Sequence, residues 1–353
     1  MATANRYFGT GGLDASLQFE LTNGENTGPG HNTTLQFYSN YLSSRSSMAD
    51  LIAAGVYASV RSCGGLSIPL RLGRIDATSS GALGVPQPQN SVVTFRQQFD
   101  RMGFNEAEMI QVTACGHTIG GVHSTEFPEI VPPGTGINGQ IGLDSTVADF
   151  DNKVVTEYLD GTTTNPLVVG PAVGVNRHAD FKVFNSDGNV TMNALTSPTS
   201  FQNVCRTVLQ KMIDVVPSGV VLTEPIEPYM IKPVHLQLVL NPGASTLLLK
   251  GHIRVRTTNL SGSSIRDVTL TWKDRNGGNN CGSLSTCSTT HSVLGIGRGF
   301  DDTFSVGPAS SPGVHSRTDV DTVLPYRGQH SRCRWHLFVC CYRQPQRRHQ
   351  HNI

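Results

Sequence analysis

No run of about eighteen apolar residues occurs in the chain, so no segment reads as a membrane-spanning helix. The first twenty residues lack the basic start and apolar stretch of a signal peptide, and as written the chain would stay in the cytosol. Charge is scarce, at 15% of residues, while hydrophobic residues make up 37%. That balance excludes a charge-rich disordered chain and supports a sizeable core. No two of the 8 cysteines have the CxxC spacing of a zinc site. The net charge of +1 is unevenly spread. Residues 326–353 hold six arginines and no acid or lysine, and taking those six from +1 leaves a body of −5. An acidic body argues against a nucleic-acid partner.

At 353 residues the soft expectation is two domains. Up to about residue 225 the pattern is helical with long loops. Ser47 with Asp50 three residues on forms a capping-box signature, opening a helix through Leu51, Ile52, Val56 and Val60 that stops at Gly64-Gly65. Its small residues Ala53, Ala54, Gly55 and Ala58 allow another helix or a flat ligand to approach closely. Asn105 with Glu108 opens a second helix, through Met109, Ile110 and Val112, ending at Cys115-Gly116-His117-Thr118. Ser197 to Val215 reads as a third, with Phe201, Val204, Cys205, Val208, Leu209 and Met212 on one stripe. After Pro217 the period changes. Val234, Leu236, Leu238 and Leu240 alternate as in a strand, followed by strands at 245–249, 253–256 and 268–272, with turns at Asn241-Pro-Gly and Asn276-Gly-Gly. Three segments result: 1–225 helical, 226–325 β-rich, and an aperiodic tail over 326–353 expected to be disordered. Cys281 and Cys287 flank a Gly/Ser segment and are placed to close a small disulfide loop, which suits an oxidising compartment.

His117 ends an amphipathic helix beside a glycine, where its ring projects past the helix end. The stretch Glu108-Met-Ile-Gln-Val-Thr-Ala-Cys-Gly-His117-Thr-Ile-Gly-Gly-Val-His123 resembles the proximal haem segment of the plant/fungal/bacterial peroxidase superfamily, most nearly its secreted fungal members. The resemblance implies a mainly α haem-peroxidase domain, here without its first helices, followed by a small β module. It implies haem b with His117 as axial ligand. Asp187, in Phe184-Asn-Ser-Asp187, resembles the carboxylate that accepts the proton on the ligand's other nitrogen and makes the imidazole a stronger donor. Leu143-Asp-Ser-Thr-Val-Ala-Asp-Phe-Asp151 resembles a proximal calcium loop. By that likeness Asp144, Thr146 and Asp151 give side-chain oxygens, Asp149 its carbonyl, and Thr118 joins from beside the histidine. Gly11-Gly-Leu-Asp-Ala-Ser16 resembles a distal calcium loop, with Gly12, Asp14 and Ser16 as a partial ligand set. Glu20 and Asn26 resemble the pair that orients a distal histidine. Leu70 to Ala77 with Pro86-Gln-Pro88 resembles a loop over the haem edge, and His123 is placed to reach a propionate or to sit on the surface.

The sequence departs from the family on the distal side. The distal Arg-x-x-Phe-His-Asp segment, which carries the proton-shuttling histidine and the charge-stabilising arginine, has no counterpart here. Before Gly11 there is no histidine, and Arg6 stands too near the calcium loop to match. The expectation is a chain whose start is incomplete, with Cys63 left as an odd thiol and peroxidase turnover impaired. The implied partners are hydrogen peroxide and a small reducing substrate, with no nucleic acid or membrane and a monomeric state; members of the family are extracellular. Two other classes stay open. One is a haem- and calcium-binding protein without turnover. The other is a secreted β-rich binding module, of carbohydrate type, on a degenerate helical domain, for which Trp272 is the module's one tryptophan. A zinc site from Cys115, His117 and His123 lacks a fourth ligand.

Overall fold

A computed structural model describes residues 1–240 continuously and, beyond them, 246–256, 265–273, 277–279, 287–292, 295–298, 303–306, 322–325 and 337–343. The chain divides into two compact units, Met1–Ile226 and Glu227–Ile353. The first is mainly helical and the second is built of strands, so the architecture is a helical domain with a β module.

The helical unit opens with a 3₁₀ turn at Ser16–Phe19, then α1 (Gly30–Ser39), α2 (Met48–Ser62), α3 (Val92–Arg101) and α4 (Glu106–His117). A two-stranded ribbon follows, β1 (Gly121–His123) against β2 (Gln140–Gly142), antiparallel. Then come α5 (Lys153–Asp160), three short helices α6 (Pro171–Gly174), α7 (Ala179–Phe184) and α8 (Val190–Ala194), and α9 (Pro198–Ile213). The core gathers Phe104, Met109 and Ile110 around α4, Phe184 and Met192 from α7 and α8, and Phe201 from α9.

Helix starts follow local chemistry. At α4 the capping box is complete: Asn105 Oδ1 accepts from Glu108 N–H, and Glu108 Oε2 accepts from Asn105 N–H, both at 2.9 Å. At α2 only half of the expected box forms. Ser47 Oγ accepts from Asp50 N–H at 3.0 Å, but the Asp50 carboxylate turns away to accept from Gly73 N–H and from Arg74. The remaining free N–H groups of Met48 and Ala49 donate instead to Asp76, at 2.9 and 2.8 Å. Arg74 is buried at 3% exposure, bonded to Asp50 Oδ1 at 2.9 Å, to Asp214 Oδ1 at 3.2 Å and to the Ile213 carbonyl at the end of α9. The segment expected to lie over a haem edge therefore ties the start of α2 to the end of α9. The small-residue stripe of α2 is approached by α1: a Cβ on Gly55 would lie 1.8 Å from Tyr38 Oη.

In the β unit, β3 (Ile231–Leu240) pairs antiparallel with β4 (Thr246–Arg256), and β4 merges the two strands expected at 245–249 and 253–256. Further strands are β5 (Ile265–Trp272), β6 (Ser288–Ser292), β7 (Gly295–Arg298), β8 (Thr303–Val306), β9 (Thr322–Pro325) and β10 (Leu337–Arg343). They form a sheet ordered β3-β4-β8-β7, with β9 also on β4, and a second ordered β10-β5-β6. The tail expected to be disordered supplies β10, whose Leu-Phe-Val-Cys-Cys-Tyr run has the apolar and aromatic character of a strand. Trp272 is buried at 5% exposure and packs inside the module instead of offering a binding platform. The turn expected at Asn241-Pro-Gly lies outside the described residues, as do Asn276 and Cys281; Gly277 of the other expected turn is described and has a positive φ of 79°. Cys287 is engaged in a disulfide.

Candidate functional site

His117 is the last residue of α4, and the helix that presents it is fixed to α9 at both ends. At the start, Lys211 Nζ donates to Glu108 Oε1 and Oε2 at 2.6 and 2.7 Å, and the same ammonium stands 4.9 Å from the Phe104 ring centre. At the finish, a disulfide joins Cys115 to Cys205, two residues before the histidine. This pairing was not anticipated. With 8 cysteines in the chain the connectivity is not written in the sequence. The pairing also removes Cys115 as a thiolate, which ends the zinc alternative. Cys63 is a free thiol.

The carboxylate that holds His117 is Asp180, not Asp187. His117 Nδ1 lies 2.8 Å from Asp180 Oδ2, and Asp180 is 1% exposed. Asp187 instead accepts from Thr191 N–H at 2.9 Å and Thr191 Oγ1–H at 2.6 Å, closing the turn into α8. The physical reason lies in where α7 ends. In α7, Asp180, Val183 and Phe184 occupy positions i, i+3 and i+4 and are all buried, so one face of the helix points inward. Asp187 stands beyond the helix end, before Gly188 with its positive φ of 69°, as a turn residue. The spacing of Asp180 with the apolar Val183 and Phe184 is the signal in the sequence that would have pointed to the right acid.

Burial works against the charged form of His117, but the neighbouring Asp180 charge and its hydrogen bond outweigh it, so the pKa rises above the ordinary value. With Nδ1 donating to a carboxylate, Nε2 is left as the nitrogen with a free lone pair. The His117 side chain is 32% exposed. At the preceding position, Gly116, a Cβ would meet nothing within 4 Å. A half-exposed imidazole bonded to a buried carboxylate suits an axial ligand for haem iron.

Below the histidine an oxygen cluster closes around Thr118, which is fully buried. Thr118 Oγ1 lies 2.8 Å from both Asp144 Oδ2 and the Asp151 carbonyl, and Thr146 Oγ1 lies 3.1 Å from Asp151 Oδ1. The structure thus brings together Thr118, Asp144, Thr146 and Asp151. Asp149 is exposed; its carbonyl accepts from Asp151 N–H at 3.1 Å. Burial pushes the Asp144 carboxyl up. Bonds from Thr146 N–H and Thr118 hydroxyl oppose that rise, and the charges of Asp151 and Glu157 add to it. Two carboxylates, two hydroxyls and a carbonyl form a hard-oxygen set of the kind calcium takes, and a cation would relieve the repulsion among the acids. Among the described residues no group of three or more His, Cys, Asp or Glu side chains gathers in metal-binding fashion. Hydroxyl and carbonyl oxygens supply most of this cluster.

The other expected sites are built differently. Asp14 is buried and its Oδ1 accepts from Ser16 N–H at 3.1 Å. Gly12, at φ 126°, passes so close to α9's end that a Cβ would lie 2.6 Å from the Val215 carbonyl. Glu20 and Asn26 do meet, but Asn26 Nδ2 donates to the main-chain carbonyl of Glu20 at 3.1 Å. The Glu20 carboxylate accepts from Gly81 N–H at 2.7 Å and so holds a loop. His123 is exposed on β1.

A protein-family model described as Peroxidase matches residues 6–202. A WSC domain-containing protein of Arthroderma benhamiae is 52% identical over 326 residues, covering 92% of this chain and 44% of that protein. The chain therefore spans less than half the length of that relative. The peroxisomal L-ascorbate peroxidase 5 of Arabidopsis thaliana is 30% identical over 160 residues, 45% of this chain and 53% of that one. A catalase-peroxidase of Koribacter versatilis is 32% identical over 105 residues, 28% of this chain and 14% of that one.

Proposed function

The chain belongs to the peroxidase family, and from that premise we propose that it binds haem through His117 and supports hydrogen-peroxide-dependent oxidation of a small reducing substrate, in the manner of the secreted fungal members. The observation that carries the proposal is the His117–Asp180 bond at 2.8 Å, at the C-terminal end of α4. When bound, the haem would supply the two-electron reduction of peroxide to water, with the electrons recovered from the reducing substrate. The residues of this chain prepare that chemistry. Asp180 keeps the Nδ1 proton in place and directs Nε2 outward, raising the electron-donating power of the ring. The Cys115–Cys205 bridge and the Glu108–Lys211 pair hold the helix that carries it. Thr118, Asp144, Thr146 and Asp151, with the Asp149 carbonyl, would hold calcium and so clamp the residue next to the ligand. Gly12, Asp14 and Ser16 would contribute to a second calcium. The disulfides favour an oxidising, extracellular setting.

Proton transfer at the peroxide requires a distal base and a cation that these residues do not provide. The haem-loaded chain should therefore react with peroxide orders of magnitude more slowly than a version extended by an Arg-x-x-Phe-His-Asp segment ahead of residue 11. Stopped-flow absorbance of both with hydrogen peroxide tests this, and equal rates would contradict it. If neither version reacts although both bind haem, the reading becomes a haem carrier without turnover.

A further inference from the structure

We infer that Asn165 is a positioning residue that sets how strongly Asp180 draws on the His117 proton, an inference that rests on the haem reading above. Asn165 is 1% exposed and lies in the loop after α5. Its Nδ2 donates to Asp180 Oδ2 at 2.8 Å, the same oxygen that His117 Nδ1 approaches at 2.8 Å. The side-chain amide has only one tenable orientation. Its Oδ1 accepts from Leu167 N–H at 2.8 Å, so a flip would set oxygen against carboxylate and N–H against N–H. The backbone is equally constrained. Asn165 N–H donates to Thr163 Oγ1 at 3.1 Å, and its carbonyl accepts from Val168 and Val169 N–H at 2.9 and 3.0 Å. A buried loop is thus folded so that one N–H meets one carboxylate oxygen.

Two donors on one oxygen compete for the same electron density. A hydrogen bond to the charged form of an acid lowers its affinity for protons. With Asn165 in place, Asp180 pulls less on the His117 proton. Without it, Asp180 pulls harder, the imidazole gains anionic character, and bound iron is held more firmly in the ferric state. A merely supporting Asn165 has the opposite signature. Its loss would loosen Asp180, weaken the bond to His117 and favour ferrous iron. The sign of the change separates the two roles.

The test is Asn165→Leu, read two ways. In the haem-loaded chain the ferric/ferrous midpoint potential falls, with the ferric-to-ferrous ratio at fixed potential rising about tenfold, which is about 59 mV for one electron. An unchanged or higher potential overturns the inference. In the haem-free chain, the proton on His117 Nδ1 moves downfield in ¹⁵N-edited NMR, and an upfield or absent shift contradicts it. This second readout needs no haem, so a chain that fails to take up haem would sink the functional reading while the NMR still decides the role of Asn165. Should the Leu variant not fold, the unsubstituted chain decides. One of the two Asn165 amide protons should exchange slowly and resonate downfield of its partner; two equivalent, fast-exchanging protons would end the inference.

Discussion

Exchanging Asp180 for Asn removes one charge and almost no volume, which isolates the electrostatic contribution of the pair with His117. In the native chain Asp180 Oδ2 accepts from His117 Nδ1 and Asn165 Nδ2, each at 2.8 Å, and Asp180 itself is buried. An amide oxygen in the same place still accepts both bonds, but they become neutral. Charged hydrogen bonds contribute about 1.5–3 kcal/mol and neutral ones about 0.5–1.5 kcal/mol, so each bond loses about 1–1.5 kcal/mol and the two together about 2–3 kcal/mol. The independent expectation for the hydrogen-bond partner of a metal ligand is a loss of about 10–100-fold in affinity, or about 1.4–2.7 kcal/mol. The two ranges overlap, and they predict haem affinity weakened by at least about tenfold. The pH dependence shifts as well. Only neutral imidazole binds iron, and Asp180 lifts the His117 pKa above its ordinary value. Haem uptake by the native chain therefore weakens as pH falls through that raised pKa, and Asp180→Asn moves the midpoint to lower pH. The assay is an absorbance titration of haem into each chain across pH. Asp187→Asn is the control, since its amide oxygen still accepts from Thr191 N–H and hydroxyl, asparagine caps about as well as aspartate, and haem affinity stays unchanged. Weaker haem binding in Asp187→Asn with normal binding in Asp180→Asn would refute the reasoning.

Asp144→Ala should lower the calcium retained on gel filtration and speed hydrogen exchange at the end of α4; unchanged calcium content would remove the site. Replacing Cys115 and Cys205 with Ser opens a loop of 90 residues, with an expected loss of roughly 4–5 kcal/mol in denaturant unfolding on the chain-entropy account. A loss under about 1 kcal/mol would mean that the bridge does not constrain the unfolded chain. The Glu108 pair has a defined pH window. Burial raises its pKa, but the Lys211 ammonium and the Asn105 N–H more than offset that, leaving the folded value lowered. Its contribution is thus present above the unfolded carboxylate pKa and lost as pH falls through the folded one. Glu108→Gln should destabilise the protein near neutral pH and show a shrinking difference in acid, and a difference constant with pH would contradict this.

Much of the helical framework was legible because its signals are local. The Asn105–Glu108 box, the Ser47 cap and the apolar stripe of α9 each lie within one or two turns of chain. Helix α3 was missed although Ser91 caps it and Phe95 and Phe99, four apart and both buried, mark its inner face. Its many polar residues hide that face. The site was legible in one half only. His117 and the oxygen loop at 144–151 are contiguous motifs, whereas the acid bonded to the histidine is 63 residues away and is selected by the fold. Asp180 and Asp187 differ by seven residues, about two helical turns, so phase does not separate them; α7 ends at Phe184, and only Asp180 lies on its buried face. The Arg74 network was not legible for a related reason: its partners Asp50, Ile213 and Asp214 are far away in the sequence. Its guanidinium neutralises two acids and a helix C-terminus inside the core.

The most direct measurement is haem titration of His117→Ala beside the unsubstituted chain, followed by absorbance. The unsubstituted chain should bind one haem with a histidine-ligated spectrum, and the variant should bind none in stoichiometric fashion. A variant that takes up one equivalent with the same five-coordinate spectrum would show that the iron rests on another residue.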